Sequence, residues 1–172
     1  MKGWLTEKPK EAIRLNIGSG DPKIAKEQYP DIVCKYQDVY PFPDIDLLCD
    51  IRELNQFVGE GECEYIMAVH VLEHFGVHEI DGIFSMLFKL IKPGGGFDVI
   101  VPNFRYHAGL VLYENNDYQA VEYCFGDQRD EYDFHKTAFT PKILQDRITK
   151  AGFQIIGFQE DTSLLANCIK PS

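Results

Sequence analysis

An apolar run, Leu15-Asn16-Ile17, empties into Gly18-Ser19-Gly20-Asp21, and acids follow at Asp38 and Asp50. No other stretch narrows the possible architectures as far. Glycine has no Cβ and tolerates positive φ, so a turn of this kind lets the backbone come close to a ligand. In α/β sheets, an acid about 20 positions on, at the tip of the next strand, is where a ribose is held. Gly18 and Asp38 have that spacing.

The rest of the chain reads as alternating strands and helices. Ala12 to Ile17 is a strand, Pro22 to Gln28 a short solvated helix, and Asp31 to Val39, Asp46 to Ile51 and Cys63 to Val69 are further strands. Tyr40-Pro41-Phe42-Pro43 punctuates them, because proline continues neither strand nor helix. Ile80, Ile83, Phe84, Leu87, Phe88 and Ile91 recur at helical spacing, and Lys92-Pro93-Gly94-Gly95-Gly96 reads as the stop. Phe97 to Val101 is apolar throughout, the pattern of a strand buried on both faces. Strand, helix, strand in this order implies parallel pairing through right-handed crossovers.

From Pro102 to Thr140 the pattern loosens, with a helix near Asp117 to Phe125 and then a polar, aromatic loop. Thr140-Pro141 is an N-cap followed by proline at the first helical position, opening a helix to about Ala151 that Gly152 ends. Phe153 to Glu160 and Leu164 to Ile169 close the chain as an antiparallel hairpin. The expectation is one domain over 1–172, with 102–140 inserted on the acceptor side as a lid.

The formal net charge of −10 argues against wrapping extended nucleic acid through its phosphates. Five scattered cysteines without a C-x-x-C pair suit reduced thiols. No run has membrane-spanning length and Met1-Lys2-Gly3-Trp4 has no apolar signal core, so a cytoplasmic location without membrane attachment is expected.

These residues resemble the class I S-adenosylmethionine-dependent methyltransferases, specifically small bacterial and phage-type members associated with sugar or surface-polysaccharide genes. The segments that carry the likeness are Leu15 to Gly20, Asp46-Leu47-Leu48-Cys49-Asp50, His70-Val71-Leu72-Glu73-His74, Leu90 to Gly95, Val101-Pro102-Asn103, Tyr132 to Lys136 and Ala151-Gly152-Phe153. The resemblance implies a Rossmann-like α/β fold, with a mostly parallel seven-stranded sheet ending in the C-terminal antiparallel hairpin. It implies S-adenosylmethionine as cofactor, with Asn16, Gly18, Ser19 and Gly20 beside the methionine portion. Asp38 would hold the ribose hydroxyls, Asp50 and Ile51 would lie beside the adenine, and Val69 and His70 belong to the same cofactor side. A carboxylate suits the ribose because it only accepts and can take both hydroxyl protons. Two features depart from the family pattern: Asn16 replaces the usual acid, and Asp21-Pro22 stands where a third glycine is usual.

A second constellation is rich in histidine. His70, Glu73 and His74 have i, i+3, i+4 spacing and would share a face at a helix start. In metal-dependent members of the resembled superfamily a similar set binds a divalent ion; here His70 replaces the first acid, and His135 could supply a further nitrogen. Imidazoles with one carboxylate favour Zn²⁺, Mn²⁺ or Fe²⁺ over Mg²⁺. The competing reading leaves Glu73 and His74 capping the helix or lining the cofactor cavity. His135 and His70 are the candidate catalytic residues, and His135 is favoured as general base because histidine titrates near neutral pH. The alternative for His135 is a surface position in an acidic loop.

The function expected is methyl transfer from S-adenosylmethionine to oxygen of a small polar acceptor such as a sugar or nucleotide-sugar, with a homodimer completing the lid. Two rivals stand beside it. One is a non-catalytic methyltransferase-like binding or regulatory subunit. The other is a nicotinamide-dependent short-chain oxidoreductase, for which Tyr132 and Lys136 offer a Tyr-x-x-x-Lys pair.

Overall fold

The computed structural model describes residues 2–114 and 117–172. Its strands are β1 (Gly3–Trp4), β2 (Ile13–Ile17), β3 (Lys35–Asp38), β4 (Leu47–Leu48), β5 (Cys63–Val69), β6 (Ile91–Pro102), β7 (Gln154–Glu160) and β8 (Ser163–Ile169). The helices are α1 (Pro22–Gln28), α2 (Ile80–Leu90), α3 (Phe104–Gly109), α4 (Asp117–Phe125) and α5 (Pro141–Ala151). All strands join one sheet in the order β1-β4-β3-β2-β5-β6-β8-β7. β4, β3, β2, β5 and β6 run parallel, while β1, β8 and β7 attach antiparallel.

Burial follows the sequence pattern. In β2 only Arg14 is exposed, and in β6 the side chains of Phe97, Val99 and Val101 are fully enclosed. Helices cover both faces of such strands, which is why their sequence is continuously apolar. α2 puts Ile80, Ile83, Phe84 and Leu87 into the main core and packs on α5, where Arg147 and Lys150 both pair with Asp81. α1 buries Ala25 in a smaller cluster with Tyr36 and Ile45. α5 begins on Thr140, whose hydroxyl caps the Ile143 N–H, and ends at Gly152 with φ of 106°. A Cβ at Gly152 would lie 2.9 Å from the Phe88 ring, so both conformation and space require glycine there.

The sheet has eight strands where seven were expected. The additional one is β1, which pairs Gly3 with Leu48 and Trp4 with Leu47. Two expected strands are shorter than their apolar runs. Pairing with β2 begins only at Lys35, and β4 stops at Leu48 because Asp50 caps a 3-10 turn over Ile51–Gln56. The Gly94-Gly95-Gly96 run does not cap α2. That helix ends on Ile91 in extended conformation, and the glycines form the start of β6, where Gly95 has no room for a Cβ beside Ile91 and the Glu64 carbonyl.

The order reverses at β2: β3 and β4 lie on one side of it, β5 and β6 on the other. In open α/β sheets the crevice beyond the carboxyl ends of the strands at such a reversal is the ligand site.

Candidate active site

The turn after β2 is held by side chains of β3. Gly18 and Gly20 take φ of 58° and 63°. The Gly18 N–H donates to Gln37 Oε1 (3.1 Å), the Ser19 N–H to the Gln37 carbonyl (3.0 Å), and Gln37 Nε2 to the Cys49 carbonyl (2.7 Å). Buried Gln37 thus ties three strand ends together, a role its sequence context did not signal. A Cβ on Gly18 would come 2.2 Å from Val71 Cγ2.

Asp38 ends β3 and is 6% exposed. Its Oδ2 accepts the Gly20 N–H at 2.8 Å and its Oδ1 the Tyr40 N–H at 2.9 Å. Burial pushes its pKa up, and those backbone donors only partly offset the shift. Asp50 accepts from the Arg52 backbone (2.9 Å) and from Arg52 Nε and Nη2 (3.0 and 2.7 Å). Burial raises its pKa, the Arg52 bonds and charge lower it, and the net shift is downward. A cavity of about 400 Å³ opens between these acids, walled by Gly18, Gly20, Asp38, Asp50, Ile51 and His70 on the sheet side. Arg129, Asp130, Tyr132 and Asp133 wall it from a loop opposite. Volumes of about 300–1,000 Å³ suit small-molecule and cofactor sites. Asn16, Ser19 and Val69 do not line this cavity: Asn16 is buried within β2, Ser19 lies in the turn with its hydroxyl on the Gly20 carbonyl, and Val69 ends β5.

The histidine constellation is arranged differently from the helical spacing expected. Only a single 3-10 turn, Leu72–His74, follows β5, and His70 has left-handed backbone with φ of 49°. His70 lines the large cavity, where its Nδ1 lies 3.3 Å from Glu73 Oε1. Ligand atoms of Glu73, His74 and His135 lie within 4.8 Å of one another; His70 is outside that group. Glu73 is 1% exposed and its Oε2 has no hydrogen-bond partner. His74 Nδ1 faces the Phe134 carbonyl (3.2 Å) and His135 Nδ1 the Tyr123 carbonyl (2.8 Å). A carbonyl only accepts, so each Nδ1 carries a proton, and Nε2 is the nitrogen with the lone pair whenever the ring is neutral. Burial lowers the pKa of His74, which favours the neutral ring.

Four of the five histidines gather here, including His107, which its sequence context did not mark. His107 is buried, stacks on Tyr123 at 4.2 Å, and lines a cavity of about 10 Å³ with Glu73 and His135. Neither ring nitrogen has a hydrogen bond of good geometry, and burial lowers its pKa against a pull upward from the Thr162 carbonyl. Lys136, paired with Tyr132 in the oxidoreductase reading, places its ammonium on the Glu131 carbonyl, while the Tyr132 ring meets Tyr40 edge-on. Among the described residues no helix is long and apolar enough to cross a membrane. Between β6 and α5 lie α3, a π turn over Leu110–Glu114, α4 and a loop; Asn115 and Asn116 lie outside the described residues.

No family model and no curated sequence matches the chain. Solved structures do. A SAM-dependent methyltransferase from Methanosarcina mazei superposes with a TM-score of 0.66 at 16% identity, over 95% of this chain and 94% of that one. The putative methyltransferase from Haloferax volcanii, in complex with the Trm112 methyltransferase activator, gives 0.65 at 12% identity over 98% and 86%. The 1,6-didemethyltoxoflavin-N1-methyltransferase from Burkholderia thailandensis, with bound S-adenosylhomocysteine, gives 0.63 at 14% over 94% and 72%. The fold is the Rossmann-like fold of S-adenosylmethionine-dependent methyltransferases.

Proposed function

We propose that the chain is an S-adenosylmethionine-dependent methyltransferase acting on oxygen of a small polar acceptor. The observation that carries this reading is the closure of the glycine turn on Asp38, with Asp50 across the same cavity. That arrangement leaves acceptor lone pairs for two ribose hydroxyls beside an apolar slot at Ile51 for a base. The cofactor supplies a methyl group already activated on a sulfonium. What remains for the protein is alignment of acceptor and methyl, together with handling of one proton.

His70 is suited to that proton. Its Nδ1–H points to Glu73 Oε1, so Nε2 is the accepting nitrogen, and the ring is half exposed in the cavity. Glu73 fixes the ring's tautomer from behind, as a carboxylate does for a general-base histidine. His135, favoured from sequence as the base, has its Nδ1 tied to Tyr123 and groups with Glu73 and His74 instead.

A second reading of that group is favoured by the unpartnered Glu73 Oε2 and the two imidazoles held with Nε2 free: Glu73, His74 and His135 would hold Zn²⁺, Mn²⁺ or Fe²⁺. Such a cation would lower the pKa of an acceptor hydroxyl. A sugar-like acceptor suits this polar, histidine-rich wall, and a homodimer is the arrangement we assign for shielding the exposed aromatic residues of the inserted region.

The test is calorimetry with S-adenosylhomocysteine. Binding by the parent, weakened about 10- to 100-fold by Asp38→Ala, is the expected result, since each lost hydrogen bond to a carboxylate is worth about 1.5–3 kcal/mol. A folded parent that takes up no S-adenosylhomocysteine overturns the reading.

A further inference from the structure

The wall of the large cavity that faces the sheet is a built loop. Its ends meet where the His135 N–H donates to the Phe125 carbonyl at 3.0 Å, closing an Ω-loop over residues 126–134. Gly126 turns the chain into it at φ of 74°, and a Cβ there would lie 2.4 Å from the Asp133 carbonyl. Inside the loop, Arg129 pairs with Asp133 through Nε (2.7 Å) and Nη2 (3.1 Å). The Tyr132 N–H bonds Asp130 Oδ1 (2.9 Å), and the Asp133 N–H bonds the Asp130 carbonyl (3.2 Å). These bonds brace the segment as a unit. Its return leg is anchored: Lys136 and Thr137 donate backbone N–H groups to the Glu73 carbonyl, and the Thr137 hydroxyl bonds the Phe75 carbonyl at 2.6 Å.

The far edge of the loop meets the sheet side through Tyr40. Its hydroxyl donates to the Asp130 carboxylate, and its ring meets Tyr132 edge-on with centroids 5.8 Å apart. Tyr40 is itself set by the Asp38 carboxylate, which accepts its backbone N–H. One side chain on β3 therefore anchors both the proposed ribose contact and the fastening of the loop. The bond links exposed Asp130 to half-buried Tyr40 at the cavity wall, and neither residue belongs to the hydrophobic cores, so its rupture leaves the core packing untouched.

We propose that the Gly126–Phe134 loop is the cover of the adenosyl half of the cavity, fastened by Tyr40 and Asp130, and that it opens to exchange cofactor. This rests on the cofactor reading above and revises the expected role of the segment, from an acceptor lid to a cofactor cover. A cover of this kind acts on exchange rates: with the fastening removed, S-adenosylhomocysteine leaves faster while the fold persists.

Amide hydrogen exchange of the 126–134 segment, with and without S-adenosylhomocysteine, tests this together with the dissociation rate in Tyr40→Phe and Asp130→Asn. Bound S-adenosylhomocysteine is expected to slow exchange of the segment about tenfold, and Tyr40→Phe to speed dissociation about tenfold, the scale of one hydrogen bond to a charged group. Asp130→Asn, which keeps an acceptor for the Tyr40 hydroxyl, should fall between parent and Tyr40→Phe. Unchanged exchange on ligand binding, or equal dissociation from parent and Tyr40→Phe, overturns the proposal. A parent that binds no S-adenosylhomocysteine overturns the cofactor reading instead. The fastening is then read from ligand-free exchange, and equal rates in parent and Tyr40→Phe remove it.

Discussion

Gly20 donates its backbone N–H to Asp38 Oδ2 across 2.8 Å, so the turn after β2 and the acid at the end of β3 are one unit. The other oxygen of the same carboxylate holds Tyr40. Asp38 is thus bonded on both oxygens while retaining lone pairs toward the cavity.

Cofactor affinity should fall with acid before the fold does. Burial raises the Asp38 pKa, so its ionised form, the one able to accept two hydroxyl protons, is lost at a higher pH than for a free carboxylate of about 3.9. By linkage, whatever stability this shift contributes is greatest below the unfolded-state pKa and is lost as pH rises through the folded one. Calorimetric titration with S-adenosylhomocysteine from pH 8 downward should show affinity dropping while circular dichroism still reports a folded chain. Asp38→Asn should bind weakly throughout and show no such step.

Asp50 should behave in the opposite sense. Its net shift is downward because the Arg52 bonds outweigh burial, so its contribution to stability is present above the unfolded-state pKa and lost as pH falls through the folded one. The partly exposed ion pair is worth under about 1 kcal/mol. In Arg52→Gln the Asp50 carboxyl should titrate at higher pH than in the parent, which carbon-13 NMR of the side-chain carboxyl reads directly.

Gly18→Ala should destabilise the protein through two separable causes. Left-handed backbone costs about 1–2 kcal/mol for a residue with a Cβ. The new methyl also collides with Val71, an overpacking cost of about 1–3 kcal/mol. Val71→Ala removes the methyl carbon 2.2 Å away but keeps the Cβ at 2.7 Å, so urea unfolding of the double variant should fall short of the summed single losses by only part of that collision cost.

Cobalt(II) titration followed by visible absorption addresses the histidine group. Glu73→Gln and His135→Ala should each weaken binding at least about tenfold, as loss of a ligand or its orientation does. His70→Ala should weaken it less than either, because His70 supplies no ligand atom and touches the group only through Glu73 Oε1.

Local punctuation made much of the fold legible. Thr140-Pro141 and Gly152 bracket α5 as their capping chemistry requires, and β5 and α4 have the limits their patterns indicated. Legibility failed where tertiary partners decide. β1 has two residues and exists only because β4 offers an edge. Gln37 and His107 look like ordinary residues in sequence, yet one ties three strand ends and the other is enclosed against Tyr123. The spacing of His70, Glu73 and His74 suggested a helix face, but His70 turned left-handed when its N–H bonded the Ile100 carbonyl. The backbone path, not the spacing, decides which partners these histidines meet.

The pairing of Gly3 and Trp4 with β4 also bears on self-association. An uncovered β-strand margin is a template for another chain's backbone. At β4 that margin is occupied, and the Trp4 indole fastens it to the Phe57 carbonyl at 3.2 Å. The opposite margin, β7, carries Ile156 at 65% exposure and has no further strand beside it among the described residues. β1 offers a neighbour only two residues of backbone, so β7, with seven, is the longer template for growth of the sheet.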